Sequence, residues 1–209
     1  MSWNITAIFD RINKGDSFPK HFRGVVLTIS NWVFQGLLYM DRTERSFKIA
    51  LDVIGITTGT VILHFWQISL TSLLLVFCIT HTLNWLFNCQ LFALLKNLGL
   101  KTTHREEFTA IIDRMVQEAR KEHGIERILM YGSSARGTAT EKSDIDLRIV
   151  RYPGARNAIR SCQFALKFRV IAVLSKIPLD LYVFDGLESL RKMDPNETPQ
   201  VVFRNANAH

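Results

Sequence analysis

Two aspartates in an alternating segment are the residues of this chain best suited to chemistry. Asp144 and Asp146 are separated by one residue in the run DIDLRIVR, whose alternation predicts a half-buried strand over 144–151. Side chains two positions apart on a strand point to the same side, so the two carboxylates share one face. Carboxylate pairs bind hard divalent cations. The spacing therefore predicts a site for Mg²⁺, with Mn²⁺ as a substitute.

A glycine–serine turn before these aspartates is suited to binding phosphate. Gly132 and Ser133 follow a predicted strand at 126–131. The glycine lets the backbone approach an anion, the serine adds a hydroxyl donor, and a following helical turn would direct free N–H groups at the same anion. We expect Arg136 and Ser143 to orient the phosphates or to support the loop. These residues together predict a cradle for the triphosphate of an NTP.

The whole segment 132–147, GSSARGTATEKSDIDL, resembles the signature of the DNA polymerase β-like nucleotidyltransferase superfamily, in its minimal nucleotidyltransferase branch. The family pattern is Gly-Ser-x-Ala-Arg-Gly, a spacer, and Ser-Asp-x-Asp-Leu. It is met by Gly132, Ser133, Ala135, Arg136, Gly137, Ser143, Asp144, Asp146 and Leu147.

The resemblance implies a small mixed sheet flanked by helices, and a reaction on that sheet. A nucleoside monophosphate, most commonly AMP from ATP, would pass from an NTP to an acceptor hydroxyl, with metal-assisted release of pyrophosphate. A third carboxylate lies on a later strand in the family, and Asp180 in the run PLDLYVF matches that position. The resemblance makes Asp180 a metal ligand that helps to activate the acceptor.

The elements that must position these residues lie in the region 104–209, which we predict to be an α+β nucleotidyltransferase domain. Apolar residues at helical spacing predict a helix over 104–122, and a second helix is predicted over 155–176. Pro178 ends the second helix, and a third strand is predicted over 179–184. The remainder from Asp185 onward, with its prolines and asparagines, is predicted to be a loop.

A long uncharged stretch precedes this domain. Residues 53–95 contain no Asp, Glu, Lys or Arg, and one membrane crossing needs only about 20 apolar residues. We therefore predict a transmembrane helical hairpin over 49–98, with its turn near Gln67, Ile68 and Ser69, embedded in a lipid bilayer. Basic residues lie on both flanks and predict that both ends, and the catalytic domain, are cytoplasmic. These are Arg42, Arg45, Lys48, Lys96, Lys101 and Arg105.

Two further features of the N-terminal half allow alternatives. The segment 1–48 contains an amphipathic helix predicted over 24–40, which could lie in the membrane interface, pack on the hairpin or form a third crossing. Within the hairpin, His81, Asn84 and Asn88 fall on one side of a helix, with His64 facing them. Hydrogen bonds between helices or subunits are one interpretation, and a transport or metal role for the histidines is the other.

The composition excludes some classes of function and leaves others. The net charge is +7, but the basic residues form no dense tract, so nucleic acid is not an expected partner. The three cysteines have neither disulfide-framework nor zinc-site spacing. Besides a membrane-anchored nucleotidyltransferase, a non-catalytic NTP sensor and a tailing polymerase remain as alternatives. Few residues follow the third strand, so a homo-oligomer or a separate protein is expected to supply acceptor recognition.

Overall fold

The computed structural model describes residues 20–37, 40–64, 69–87, 105–140, 143–192 and 197–205. The chain forms two compact units, residues 1–35 and residues 36–209, which are described separately. Several predicted features lie outside the described residues. They are the turn at Gln67 and Ile68, the end of the hairpin over 88–98 with Asn88, and the flanking Lys96 and Lys101.

The first unit contains one described helix, α1 (Lys20–Phe34), which confirms the predicted helix near 24–40 but begins and ends earlier. Val25, Ile29 and Val33 follow one another at helical spacing and are all exposed. The helix stops because Gln35 and Gly36 have positive φ, a backbone conformation that no α-helix continues through. It is thus an amphipathic helix with an apolar side. Its three predicted placements, in the membrane interface, on the hairpin or across the membrane, stay predictions.

The second unit contains the sheet that the alternating segments predict. The strands β1 (Ile125–Tyr131), β2 (Ile145–Arg151) and β3 (Leu179–Phe184) agree with the predicted ones to within one residue. Among the described residues, these strands and a fourth, β4 (Gln200–Arg204), form one sheet in the order β3-β2-β1-β4. β2 is antiparallel to β1 and parallel to β3. The fold is therefore α+β with a small mixed sheet, as expected.

Two long helices cover one face of this sheet. They are α4 (Arg105–Ala119) and α6 (Ala155–Leu174), both somewhat shorter than predicted. One buried cluster joins Met115 of α4 and Phe168 of α6 to the alternate residues Ile128, Leu147 and Val183 of the strands. The intervening strand residues face the other side, where the candidate site residues lie.

The prediction that the chain is a loop after Asp185 is wrong. A 3-10 helix spans Leu187–Lys192, and a fourth strand, β4 (Gln200–Arg204), pairs antiparallel with the open edge of β1. The prolines and asparagines suggested a loop, but the run Val201-Val202-Phe203 has the β-branched and aromatic composition of a strand. Pro199 comes just before β4, where its missing N–H breaks no ladder hydrogen bond.

Two apolar helices, α2 (Arg42–His64) and α3 (Leu70–Phe87), form an antiparallel pair in the region of the predicted hairpin. Among the described residues they are the two helices long and apolar enough to cross a membrane. Large apolar side chains cover their outer surfaces. These include Val53, Ile54, Val61 and Ile62 of α2 and Leu70, Leu74, Leu75, Phe77, Ile79 and Leu83 of α3.

Small and polar residues lie between the two helices. A methyl group at Gly59 would come within 2.7 Å of Val76 Cγ1, and one at Gly55 would overlap Thr80 Cγ2, so the helices approach where side chains are absent. Asp52 accepts a 2.8 Å hydrogen bond from Asn84 Nδ2, and its other oxygen lies 2.9 Å from His81 Nδ1. The expected polar contacts between the helices are thus confirmed for His81 and Asn84.

The base of α2 is part of the sheet unit. α2 begins at Arg42, before the predicted start at 49, and Glu44 in its first turn is buried. Glu44 pairs with the buried Arg169 of α6, and its Oε2 accepts a 2.7 Å hydrogen bond from the Val183 N–H of β3. Phe47 and Leu86 pack against the main core. Residues 48 and 104 both lie within the second compact unit. The predicted domain division near these two positions stays a prediction.

Candidate active site

The candidate residues meet at one end of the sheet because of strand direction and register. β1 ends where the antiparallel β2 begins, and β3 starts beside β2 because the two are parallel. Asp146 is the register partner of Tyr131 on one side and of Asp180 on the other. Their side chains lie on the face opposite the main core, about 4.8 Å apart from strand to strand. The structure thus places Asp146 and Asp180 side by side.

Gly132 brings the predicted phosphate turn into contact with this row. Its φ of +68° turns the chain away from the end of β1, a conformation that glycine adopts without strain. A methyl group at this position would overlap Asp146 Oδ2. A side chain at residue 132 would therefore displace the carboxylate, so the glycine is needed for the close approach of turn and strand.

The rest of the loop is held by its own hydrogen bonds. The turn α5 (Gly132–Ala135) is tied to the start of β2, because Ser134 Oγ donates a 3.2 Å hydrogen bond to the carbonyl of Asp144. Ser143 Oγ accepts a 2.9 Å bond from the Thr140 N–H, which gives it a structural role in the loop. Asp144 and Ser133 are both partly exposed at this end.

Arg136 pairs with an acid from a distant part of the chain. Its Nη1 lies 3.2 Å from Glu197 Oε1, in the segment that leads into β4. More than half of the Arg136 side chain is exposed, so this ion pair contributes little to stability. The predicted phosphate contact of Arg136 stays a prediction, as do the site roles of Gly132, Ser133 and Ser143.

A buried ion pair at the site involves a residue to which the sequence patterns assigned no role. Arg148 follows Asp146 by two positions on β2 and is buried on the same face. Its Nη2 is 3.0 Å from Asp180 Oδ2, and its Nη1 donates 2.9 Å hydrogen bonds to the carbonyls of Asp180 and Leu147. The guanidinium also lies 4.9 Å from the ring centre of Tyr182. The alternation of β2 is enough to place Arg148 on this face. Its pairing with Asp180 depends on the register between β2 and β3, which the sequence pattern does not give.

Burial and charge fix the protonation of this group. Burial alone would lower the pKa of the Arg148 guanidinium, but Asp180, followed by Tyr182 and Asp146, raises that pKa above its ordinary value. Burial raises the pKa of the Tyr182 phenol, and the Asp180 carboxylate raises it further. Burial likewise raises the pKa of Tyr131. Arg148 therefore stays a cation, and the phenols of Tyr131 and Tyr182 stay neutral.

Two carboxylates of the site, those of Asp144 and Asp146, are suited to bind a divalent cation. The third, that of Asp180, is less suited. Asp144 and Asp146 are partly exposed hard oxygen donors, and Asp146 lies against the space that Gly132 leaves open. The described residues contain no group of three or more His, Cys, Asp or Glu that could hold a metal ion. Asp180 is next to Asp146, but its carboxylate is directed to Arg148. Its role as third ligand stays a prediction.

A comparison with known families agrees with this geometry. Residues 112–201 match the family model described as a nucleotidyltransferase domain. The match begins in α4 and ends in β4, so it contains every candidate site residue, although it covers less than half of the chain. No curated protein matches the chain. The match supports a nucleotidyltransferase, an enzyme that in general transfers a nucleoside monophosphate from an NTP.

Proposed function

We propose that this nucleotidyltransferase is anchored in a membrane and transfers a nucleoside monophosphate, AMP from ATP being the first candidate, to an acceptor hydroxyl with release of pyrophosphate. The observation that supports it most is the contact between the Gly132 turn and the Asp146 carboxylate. This contact brings the backbone proposed to bind phosphate close to the carboxylate proposed to bind a cation, as binding of Mg²⁺-NTP would require.

The residues of the chain have separate tasks in this proposal. Asp144 and Asp146 hold Mg²⁺, which when bound neutralises phosphate charge and favours attack by a hydroxyl. Gly132 and Ser133 orient the triphosphate with backbone and hydroxyl donors, and Arg136 is free to turn from its exposed partner Glu197 toward a phosphate. In the two-metal form that the resemblance implies, Asp180 completes the ligand set and must leave Arg148 to do so.

The membrane anchor is proposed from the surface of α2 and α3. Their exposed side chains are apolar along most of both helices, and their polar groups point at each other, which is how helices meet in a bilayer. We also propose a cytoplasmic position for the catalytic domain. The basic residues Arg42, Arg45 and Lys48 near the start of α2 support it, as does the supply of NTP and Mg²⁺ in that compartment.

The acceptor is proposed only as a class, a hydroxyl on a protein, a lipid-linked group or a small molecule. Its recognition is assigned to a second copy of the chain or to a separate protein, as the sequence analysis suggested. Nucleic acid is not proposed, because the basic residues form no continuous tract.

The reaction is tested by pyrophosphate release from α-labelled NTPs with Mg²⁺, using the full chain in detergent together with native membranes. We expect release and transfer of the label to one membrane or soluble fraction. Asp144→Asn and Asp146→Asn should each lower turnover at least about 1,000-fold, because several kcal/mol of charge stabilisation are lost. Asp113→Asn, an exposed acid on α4, is the matched control and should keep full turnover. Unimpaired turnover in both site variants would contradict the assignment.

The orientation is tested in intact cells with a thiol reagent that does not cross membranes. A cysteine at Glu141 should escape labelling, and a cysteine at Ser69, at the α2–α3 turn, should be labelled. The buried Cys162, whose thiol pKa is raised to about 12 by burial, adds no background. The reverse labelling pattern would overturn the cytoplasmic placement.

A further inference from the structure

The Arg148–Asp180 pair occupies the position at which a third metal-binding carboxylate is expected. Building on the proposed function, we propose that Asp180 is a positioning residue for Arg148 and not a metal ligand. The resident divalent-cation site then consists of Asp144 and Asp146 alone, and Arg148 is a fixed cation of the protein beside it.

The contacts of Arg148 leave its guanidinium little freedom. Three hydrogen bonds, two of them to Asp180, and the ring of Tyr182 hold it on the sheet face. Only 9% of its side chain is exposed, against 29% for Asp180. If Asp180 turned toward a metal ion, the buried guanidinium would lose its charged partner, which is strongly unfavourable. The pair is therefore expected to persist when a cation binds to the neighbouring aspartates.

The charge of the site also favours this arrangement. Asp146 and Asp180 are adjacent register partners, so two bare carboxylates would repel each other there. Arg148 removes that repulsion with a charge that does not titrate in the ordinary range of pH. The ligands of a second metal ion would have to come mainly from the phosphates of the nucleotide, since the Asp180 carboxylate is already paired with Arg148.

Binding of Mn²⁺ to the nucleotide-free full chain in detergent tests this directly, by electron paramagnetic resonance titration. Asp180→Asn keeps the size of the side chain and an oxygen that accepts from Arg148. We expect it to leave the number of bound ions unchanged and to raise their dissociation constant by less than about tenfold, because the Arg148 charge then acts on the site without its carboxylate partner. Asp146→Asn should weaken binding at least tenfold. Asp185→Asn, whose partner Arg151 lies 2.9 Å away at the far end of β3, is the matched control and should change nothing.

Removal of the arginine provides the converse test. Arg148→Met frees the Asp180 carboxylate, so we expect Mn²⁺ to bind at least several-fold more tightly, and Arg148→Met with Asp180→Asn should cancel that gain. A loss of one ion or a tenfold weakening in Asp180→Asn would overturn the proposal, and this result decides even if Arg148→Met fails to fold. Wild-type chain that binds Mn²⁺ as expected but releases no pyrophosphate would refute the proposed function and leave the inference intact.

Discussion

The α2–α3 pair and the catalytic sheet have opposite distributions of polar and apolar side chains. In the sheet, Ile128, Leu147 and Val183 point into a core, and Asp146 and Asp180 are on the accessible face. Between the helices, Asp52, His81 and Asn84 are in contact with one another, and apolar side chains such as Ile79 point outward. The same chain thus contains one region built for water and one whose surface suits hydrocarbon.

The difference teaches that burial alone does not identify a core. A helix pair in water would hide Ile79 and Leu74 and expose Asp52, because apolar area removed from water stabilises a fold. In a bilayer the lipid already surrounds apolar side chains, and the polar groups need partners instead. The proposed bilayer would therefore explain the distribution of side chains in the pair, and four experiments test the comparison with the sheet.

The largest expected effect is the behaviour of the whole chain on extraction. We expect the protein to stay in the membrane pellet in high salt and in alkaline carbonate and to be released only by detergent. Burial in hydrocarbon is not screened by salt, in contrast to surface charge. Fractionation followed by immunoblotting measures this. Release by carbonate would show that α2 and α3 cover a soluble surface and that the comparison is false.

Glu44, which links α2 to the sheet, is the residue at which a substitution should lower stability most. Glu44→Ala removes the charged partner of the buried Arg169 and the acceptor of the Val183 N–H, and we expect a loss of about 3–5 kcal/mol of stability. Glu118→Ala, which removes a surface pair with Lys167, should cost about 1 kcal/mol or less. Chemical denaturation in detergent compares the two. Equal costs would mean that the base of α2 does not stabilise the sheet unit.

A charge on the outer surface distinguishes the two solvents. Ile79 on α3 and Val201 on β4 are both more than half exposed. Ile79→Arg should cost about 2.5–3.5 kcal/mol of membrane insertion, because an arginine at the centre of a membrane helix is costly. Val201→Arg should be nearly neutral, because it faces water. A glycosylation-based insertion assay reports the first effect, and the melting temperature reports the second. Tolerance of both substitutions would remove the argument for lipid around α3.

The smallest expected effect concerns the contact between the helices. Gly59→Ala places a methyl group against Val76, whose side chain is held in one rotamer in a helix, and should cost about 1–3 kcal/mol. Gly186→Ala, with no atom within 4 Å of the added carbon, should change stability by less than about 0.5 kcal/mol. Thermal denaturation of both variants in detergent measures the two effects. A neutral Gly59→Ala would show that the close approach of α2 and α3 is not required.

The parts of this structure that could be predicted are those with a local signal. Alternation over 144–151 located β2, short strand-like runs located β1 and β3, and helical patterns located α4 and α6, because each signal is contained within its own segment. β4 was missed because its short apolar run follows Pro199, and the pairing partner that stabilises it is the distant β1. Local composition does not contain that information.

The candidate site divides in the same way. The resemblance placed Gly132, Asp144 and Asp146 at one site, and the structure adds the contact between Gly132 and Asp146. The Arg148–Asp180 pair joins residues 32 apart, and the Glu44–Arg169 pair joins residues 125 apart. Both depend on register and docking, which follow from the packing of the whole unit. A sequence motif gives the residue types at a site, and the fold decides which of them are already paired.

The direct attachment of α2 to β3 has a consequence for how substrates arrive. Glu44 joins the helix to the strand that contains Asp180, so no slack tether separates the apolar helices from the candidate site. In the proposed membrane placement, the active site cannot sweep through the cytoplasm in search of an acceptor. An acceptor that is itself confined to the bilayer meets it by lateral diffusion in two dimensions, at a high local concentration. A water-soluble acceptor must instead come to a site whose height above the membrane is fixed.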